Sequence, residues 1–162
     1  MMFRSYTFSF EEVRPEIPVL MEYLQIPDSE SYALVSEIVE KTFDELKDSK
    51  EIIGGYRVLD CPEVNVKEGI VNGSSGCLHT GRKISGYMQG ADQIALFLCT
   101  AGKTFTELSH AYQQNSDFLE AFVVESIGSA TVENAMDKVQ LYLEKEMMNQ
   151  GKKITNRYSP GY

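Results

Sequence analysis

From Phe118 to Met148 the chain carries one long helical pattern, and no other stretch restricts the fold as much. Leu119, Phe122, Val123, Ile127, Ala130 and Val132 supply an apolar stripe that Ala135, Val139, Tyr142 and Leu143 extend. A helix with such a stripe has to bury it against another element. Gly128 is the weak point, because glycine inside a helix costs roughly 1 kcal/mol relative to alanine. The small residues Gly128, Ser129 and Ala130 allow close contact with either a packed strand or a ligand. Glu133 lies on the turn that follows. It reads as an exposed helix glutamate or, because the helix feeds into the last residues of the chain, as a carboxylate facing the same pocket as Arg157.

The rest of the chain supplies surfaces for that helix. Residues 3–10 alternate Tyr6, Phe8 and Phe10 with Ser5, Thr7 and Ser9, the period of a half-buried strand. A short helix follows from Pro15 to about Leu24, with Val19, Leu20, Tyr23 and Leu24 as its apolar face and Pro27 as its stop. Ser29 or Ser31 can cap a second helix that runs to about Lys47. It places Leu34, Ile38, Val39 and Phe43 inside, and Glu37, Glu40, Lys41, Asp44 and Glu45 in water. Ile52 to Leu59 and Val64 to Val71 read as strands. Gly54-Gly55 marks a bulge or bend in the first of them, since no Lys-Ser/Thr helix start follows as a phosphate loop would require.

Asn72 to Gly76 is loop-like, Ile84, Tyr87 and Met88 suggest a turn or two of helix, and Ile94 to Cys99 is a continuous apolar run. Such a run predicts a strand buried on both faces and central in its sheet. Thr100-Ala101-Gly102-Lys103 then reads as a plain strand-to-helix turn into a helix over about Thr104 to Gln113, which Asn115-Ser116-Asp117 ends.

With 162 residues, 43% of them hydrophobic and 24% charged, the chain is expected to form a single domain over residues 1–162. A formal charge of -9 argues against a nucleic-acid partner, which needs clustered Lys and Arg. No run approaches the roughly 18 apolar residues of a membrane span, and the first residues lack a signal peptide's apolar stretch, so a cytoplasmic location with no membrane contact is expected. Cys61, Cys77 and Cys99 read as buried free thiols. Cys77 with His79 makes two candidate ligands, too few for a zinc site, and His110 reads as an ordinary helix residue.

The last six residues, Arg157-Tyr158-Ser159-Pro160-Gly161-Tyr162, cannot simply continue the helix. Arg157 offers a planar donor fork suited to a carboxylate or phosphate, flanked by the flat faces of Tyr158 and Tyr162. On composition alone the segment is a solvated tail with a turn.

The spacing Arg157-x-x-x-Gly161-Tyr162, with Pro160 before the glycine, resembles the S-adenosylmethionine-binding signature of the activation (reactivation) domain of vitamin B12-dependent methionine synthase. The order of features is also similar to stand-alone relatives of that domain: a strand ending in Thr100-x-Gly102, an amphipathic helix, Ile127 to Glu133, then the signature. The likeness covers the chain from about Ile84 onward.

It implies an α+β fold, with a twisted, mostly antiparallel sheet of about five strands flanked by helices. It implies binding of S-adenosylmethionine and presentation of its methyl group to a cobalamin held by a separate domain or subunit. In that family the oxidised cofactor is reduced by one electron, usually from flavodoxin, and trapped by methylation.

By the same resemblance Arg157 pairs with the ligand's carboxylate, Gly161 and Tyr162 contact the adenosyl part through their backbone, and Glu133 matches the family's helix glutamate. A further acidic residue near the family domain's start has only Glu11, Glu12 and Glu16 as counterparts by position. The family domain runs on past Gly-Tyr, so a domain lacking its C-terminal part is expected here. The chemistry belongs to the methyl donor and the corrin, and the protein supplies binding and orientation without catalytic groups of its own. The other readings are a reactivator of another corrinoid protein, an interaction domain that keeps the fold without the ligand, or an independent methyltransferase.

Overall fold

The computed structural model describes residues 3–26, 29–60, 63–73 and 76–159. In order they form β1 (Arg4–Phe8), α1 (Phe10–Val13), α2 (Ile17–Tyr23), α3 (Ser29–Leu46), β2 (Ile52–Asp60), β3 (Glu63–Asn65), β4 (Ile70–Gly73), β5 (Gly76–His79), α4 (Gly81–Tyr87), β6 (Gln93–Thr100), α5 (Thr104–Gln114) and α6 (Phe118–Asn149). The fold is α+β. Its strands form two three-stranded sheets, ordered β1-β2-β6 and β3-β4-β5, in place of the one larger sheet expected. The chain divides into two compact units, the first Met1–Arg4, Tyr56–Phe97 and Tyr142–Tyr162, the second Ser5–Gly55 and Leu98–Leu141.

In the second unit the alternation of the first strand stops earlier than its pattern suggests. The Glu12 carboxylate accepts hydrogen bonds from the Ser9 N–H at 2.7 Å and the Ser9 hydroxyl at 2.8 Å, so the chain turns into α1 at Phe10. Phe10 is fully buried there, edge-on to Phe43 and Phe105 with ring centroids 5.4 and 6.0 Å away. Helix α2 buries Leu20 and Met21 and exposes Val19 and Tyr23, which were expected inside. Helix α3 buries Val35, Ile38, Val39, Phe43 and Leu46, while Leu34, also expected inside, is exposed. Pro27, the expected stop of α2, lies outside the described residues.

Both glycine features of this unit are close approaches. Helix α6 runs unbroken through Gly128, where a Cβ would stand 3.1 Å from Phe105 Cδ1, so the small residue admits a ring of α5. Strand β2 likewise continues through Gly54-Gly55. A Cβ on Gly54 would lie 2.8 Å from Val139 Cγ2 of α6 and 3.1 Å from Cys99 Sγ of β6. Strand β2, and not the more apolar β6, is the central strand of its sheet. Strand β6 is an edge, and its Leu96 and Leu98 are 38% and 69% exposed.

The first unit buries Tyr56, Val58, Leu59, Val71, Ile94, Leu143 and Met147. Tyr56 donates its hydroxyl to Glu146 of α6, and Arg4 pairs with the same carboxylate at 2.7 Å. The expected strand Val64 to Val71 is two antiparallel strands, β3 and β4, with Val64 opposite Val71 and Gly69 at φ +70° in the turn between them. Strand β5 pairs antiparallel with β4 up to Gly73 opposite Gly76, and Ser74 and Ser75 of the loop-like stretch lie outside the described residues. Cys77 on β5 is exposed and Cys99 partly buried, which corrects the expectation of buried thiols, and Cys61 lies outside the described residues. Among the described residues no helix is long and apolar enough to cross a membrane.

Candidate functional site

The end of α6 sets the course of the C-terminal segment. Gly151 takes φ +70°, its N–H donates to Met148 O at 3.0 Å, and the Lys152 N–H donates to Met147 O at 2.9 Å. These two bonds and the left-handed glycine are a Schellman stop. Gly151 after the last apolar residues is its sequence signal, and the helical periodicity alone does not reveal it.

Residues 152–159 then proceed without regular secondary structure and are held by side chains of the same unit. Lys152 Nζ donates to Gln93 Oε1 at 2.6 Å, and Gln93 Nε2 donates to Asp60 Oδ1, linking the segment to the ends of β6 and β2. Farther along, the Tyr158 ring stacks on Tyr87 with centroids 5.2 Å apart and planes 14° from parallel. Arg157, half-buried, directly precedes that stacked ring.

The residues singled out from sequence are therefore distributed. Arg157 sits in this anchored segment of the first unit, and Glu133 is an exposed residue of α6 in the second. Pro160, Gly161 and Tyr162 lie outside the described residues. Of the positional candidates for a second acid, Glu11 pairs with Arg14 at 3.0 Å, Glu12 closes the capping box, and Glu16 is the N-cap of α2. Glu12 is held below the ordinary carboxylate range, first by the Ser9 backbone N–H and then by its hydroxyl.

The strand-to-helix turn at Thr100 also has a definite occupant. Gly102, at φ +82°, donates its N–H to Thr100 Oγ1 at 3.1 Å. The N-terminus of α5, where an external anion could otherwise sit, is taken by the chain's own Glu51. Its Oε2 accepts from the Thr104 hydroxyl at 2.9 Å and from the N–H groups of Lys103 and Thr104 at 3.3 Å. The Thr104 hydroxyl, followed by these backbone donors, holds the Glu51 carboxyl below the usual range.

Chemically, the anchored segment carries Arg157, whose guanidinium type suits a carboxylate, next in sequence to a stacked tyrosine. Cys77 Sγ and His79 Nε2 are 4.0 Å apart on β5, but among the described residues no three His, Cys, Asp or Glu side chains gather as a metal site would need. Searched against protein-family models the chain matches none, and no curated protein matches it.

Proposed function

We propose that this chain is an S-adenosylmethionine-binding reactivation module for a cobalamin-dependent methionine synthase. The observation that supports this reading most directly is the fixing of Arg157. A segment without regular backbone pairing is tied at Lys152 and at Tyr158, so the backbone that carries Arg157 is held on both sides.

The donor chemistry fits the ligand. The Arg157 fork suits its carboxylate. In this reading Gly161 and Tyr162 complete the adenosyl contacts. The bound ligand supplies the methyl group, the cobalamin resides on a partner protein, and flavodoxin provides the electron. The module's own contribution is binding and orientation. A different corrinoid protein as the partner would leave the chemistry at Arg157 unchanged.

Calorimetric titration with S-adenosylmethionine tests the proposal. A charge-assisted hydrogen-bonded pair contributes about 1.5–3 kcal/mol, so Arg157→Ala should weaken binding by roughly one to two orders of magnitude, with Arg157→Lys between the two. Absence of binding by the wild-type chain, or equal affinity in Arg157→Ala, overturns it.

A further inference from the structure

The stacked pair at the end of the segment belongs to no element of the signature. Tyr87 is the last residue of α4, a helix too short to hold its place by its own hydrogen bonds. It is clamped from outside. The N–H groups of Thr80 and Gly81 both donate to Gly69 O, at 2.9 and 3.0 Å, and Arg82 Nε donates to Lys67 O at 2.9 Å. Gly69 lies so close to Gly81 that a Cβ there would stand 2.8 Å from its Cα. The fully buried Ser85 bonds back to Gly81 O at 2.8 Å. Helix α4 is thus a fixed bracket on the β3–β4 turn, and the bracket ends in a tyrosine that is 53% exposed.

An exposed ring at the end of a rigid bracket does little for the core, yet Tyr158 lies flat against it. We infer that Tyr87 is the positioning residue for Arg157: it is the surface on which the C-terminal segment docks, and it fixes the guanidinium through the neighbouring Tyr158. What Arg157 then holds rests on the proposed function; the docking itself does not. The ring face is the working part, so the phenolic oxygen of Tyr87 is dispensable and Phe can replace it.

Two measurements on the full chain separate these points. Limited trypsin digestion, followed by mass spectrometry, reads release at the Lys153-Ile154 and Arg157-Tyr158 bonds. With the stack removed, Tyr87→Ala should speed cleavage at Arg157 about three- to tenfold, whereas Tyr87→Phe cleaves like wild type. The melting temperature should be unchanged in both, because the ring is not in the core. Equal cleavage in wild type and Tyr87→Ala, or equal acceleration by both variants, overturns the inference.

In the second measurement S-adenosylmethionine is titrated into the same proteins. Weaker binding in Tyr87→Ala with full affinity in Tyr87→Phe supports positioning, and unchanged affinity in Tyr87→Ala overturns it. If wild type does not bind, the proposed function fails while digestion still decides the docking.

Discussion

A single methyl group at position 54 tests how closely β2 and α6 approach each other. In Gly54→Ala the added Cβ falls 2.8 Å from Val139 Cγ2, 3.1 Å from Cys99 Sγ and 3.5 Å from Phe8 Cε2. Ordinary contact begins near 3.4 Å, so the branched Val139 side chain, held in the core of α6, has to retreat by more than half an ångström. Overpacking of this kind costs about 1–3 kcal/mol. Restricting the unfolded chain by replacing glycine offsets about 0.4–1 kcal/mol of that. The net loss is therefore at most about 2.6 kcal/mol, a drop in melting temperature of no more than roughly 10 °C for a chain of this size.

The assay is thermal and urea unfolding of Gly54→Ala, Val139→Ala and the double variant. Val139→Ala alone vacates buried volume and should cost about 1–3 kcal/mol. The double variant should lose less than the sum of the two, by about 0.5–2 kcal/mol, because the new methyl occupies the space released by the valine. Additive losses in the double variant would refute the close approach of Gly54 and Val139.

Two further outcomes follow from the polar contacts. Because the folded Glu51 carboxyl is held below its ordinary value, chiefly by the Thr104 hydroxyl, its contribution is present above the ordinary carboxylate range and is lost as pH falls through the folded value. Glu51→Gln should therefore flatten the acid limb of urea midpoints measured from neutral pH to roughly pH 3, and parallel profiles would count against this cap. At the other end of the chain, Arg4→Ala breaks an ion pair whose arginine is 57% exposed and should cost no more than about 1 kcal/mol. Glu146→Ala also removes the acceptor from the buried Tyr56 hydroxyl and should cost about 1–3 kcal/mol, so equal losses in urea unfolding would contradict that assignment.

What could be read from sequence followed the length of each periodic pattern. Helices α3, α5 and α6 repeat their apolar spacing over enough turns to be recognised, and α6 survives Gly128 because Phe105 packs there. Helix α2 has only seven residues, too few for its pattern to fix which side faces inward, and Val19 and Tyr23 are accordingly exposed. The alternation through Phe10 was a true pattern overruled by a local signal, Ser9-x-x-Glu12, whose carboxylate starts a helix one residue after the strand. The apolar run of β6 describes its composition, whereas edge or centre depends on its neighbours. Strand β2 takes the centre and β6 the edge, and the close approach at Gly54 is equally silent in sequence, because a missing side chain carries no hydropathy signal.

The candidate site divides along the same line. Arg157 is conspicuous in sequence because its chemistry belongs to the residue itself. Its holding partners are not, since Tyr87 and Gln93 lie on α4 and β6, far from it along the chain, and nothing in their local patterns announces the role. A segment that lacks a backbone ladder must take its position from such contacts, each contributing only about a kilocalorie per mole or less than a few. Here they are the Gly151 stop, the Lys152–Gln93 bond and the Tyr87–Tyr158 stack. None of the three holds the core together, so loosening any one leaves the fold standing. Under the proposed function the expected loss falls on S-adenosylmethionine binding, because a guanidinium left mobile in the free protein would have to be ordered in the complex.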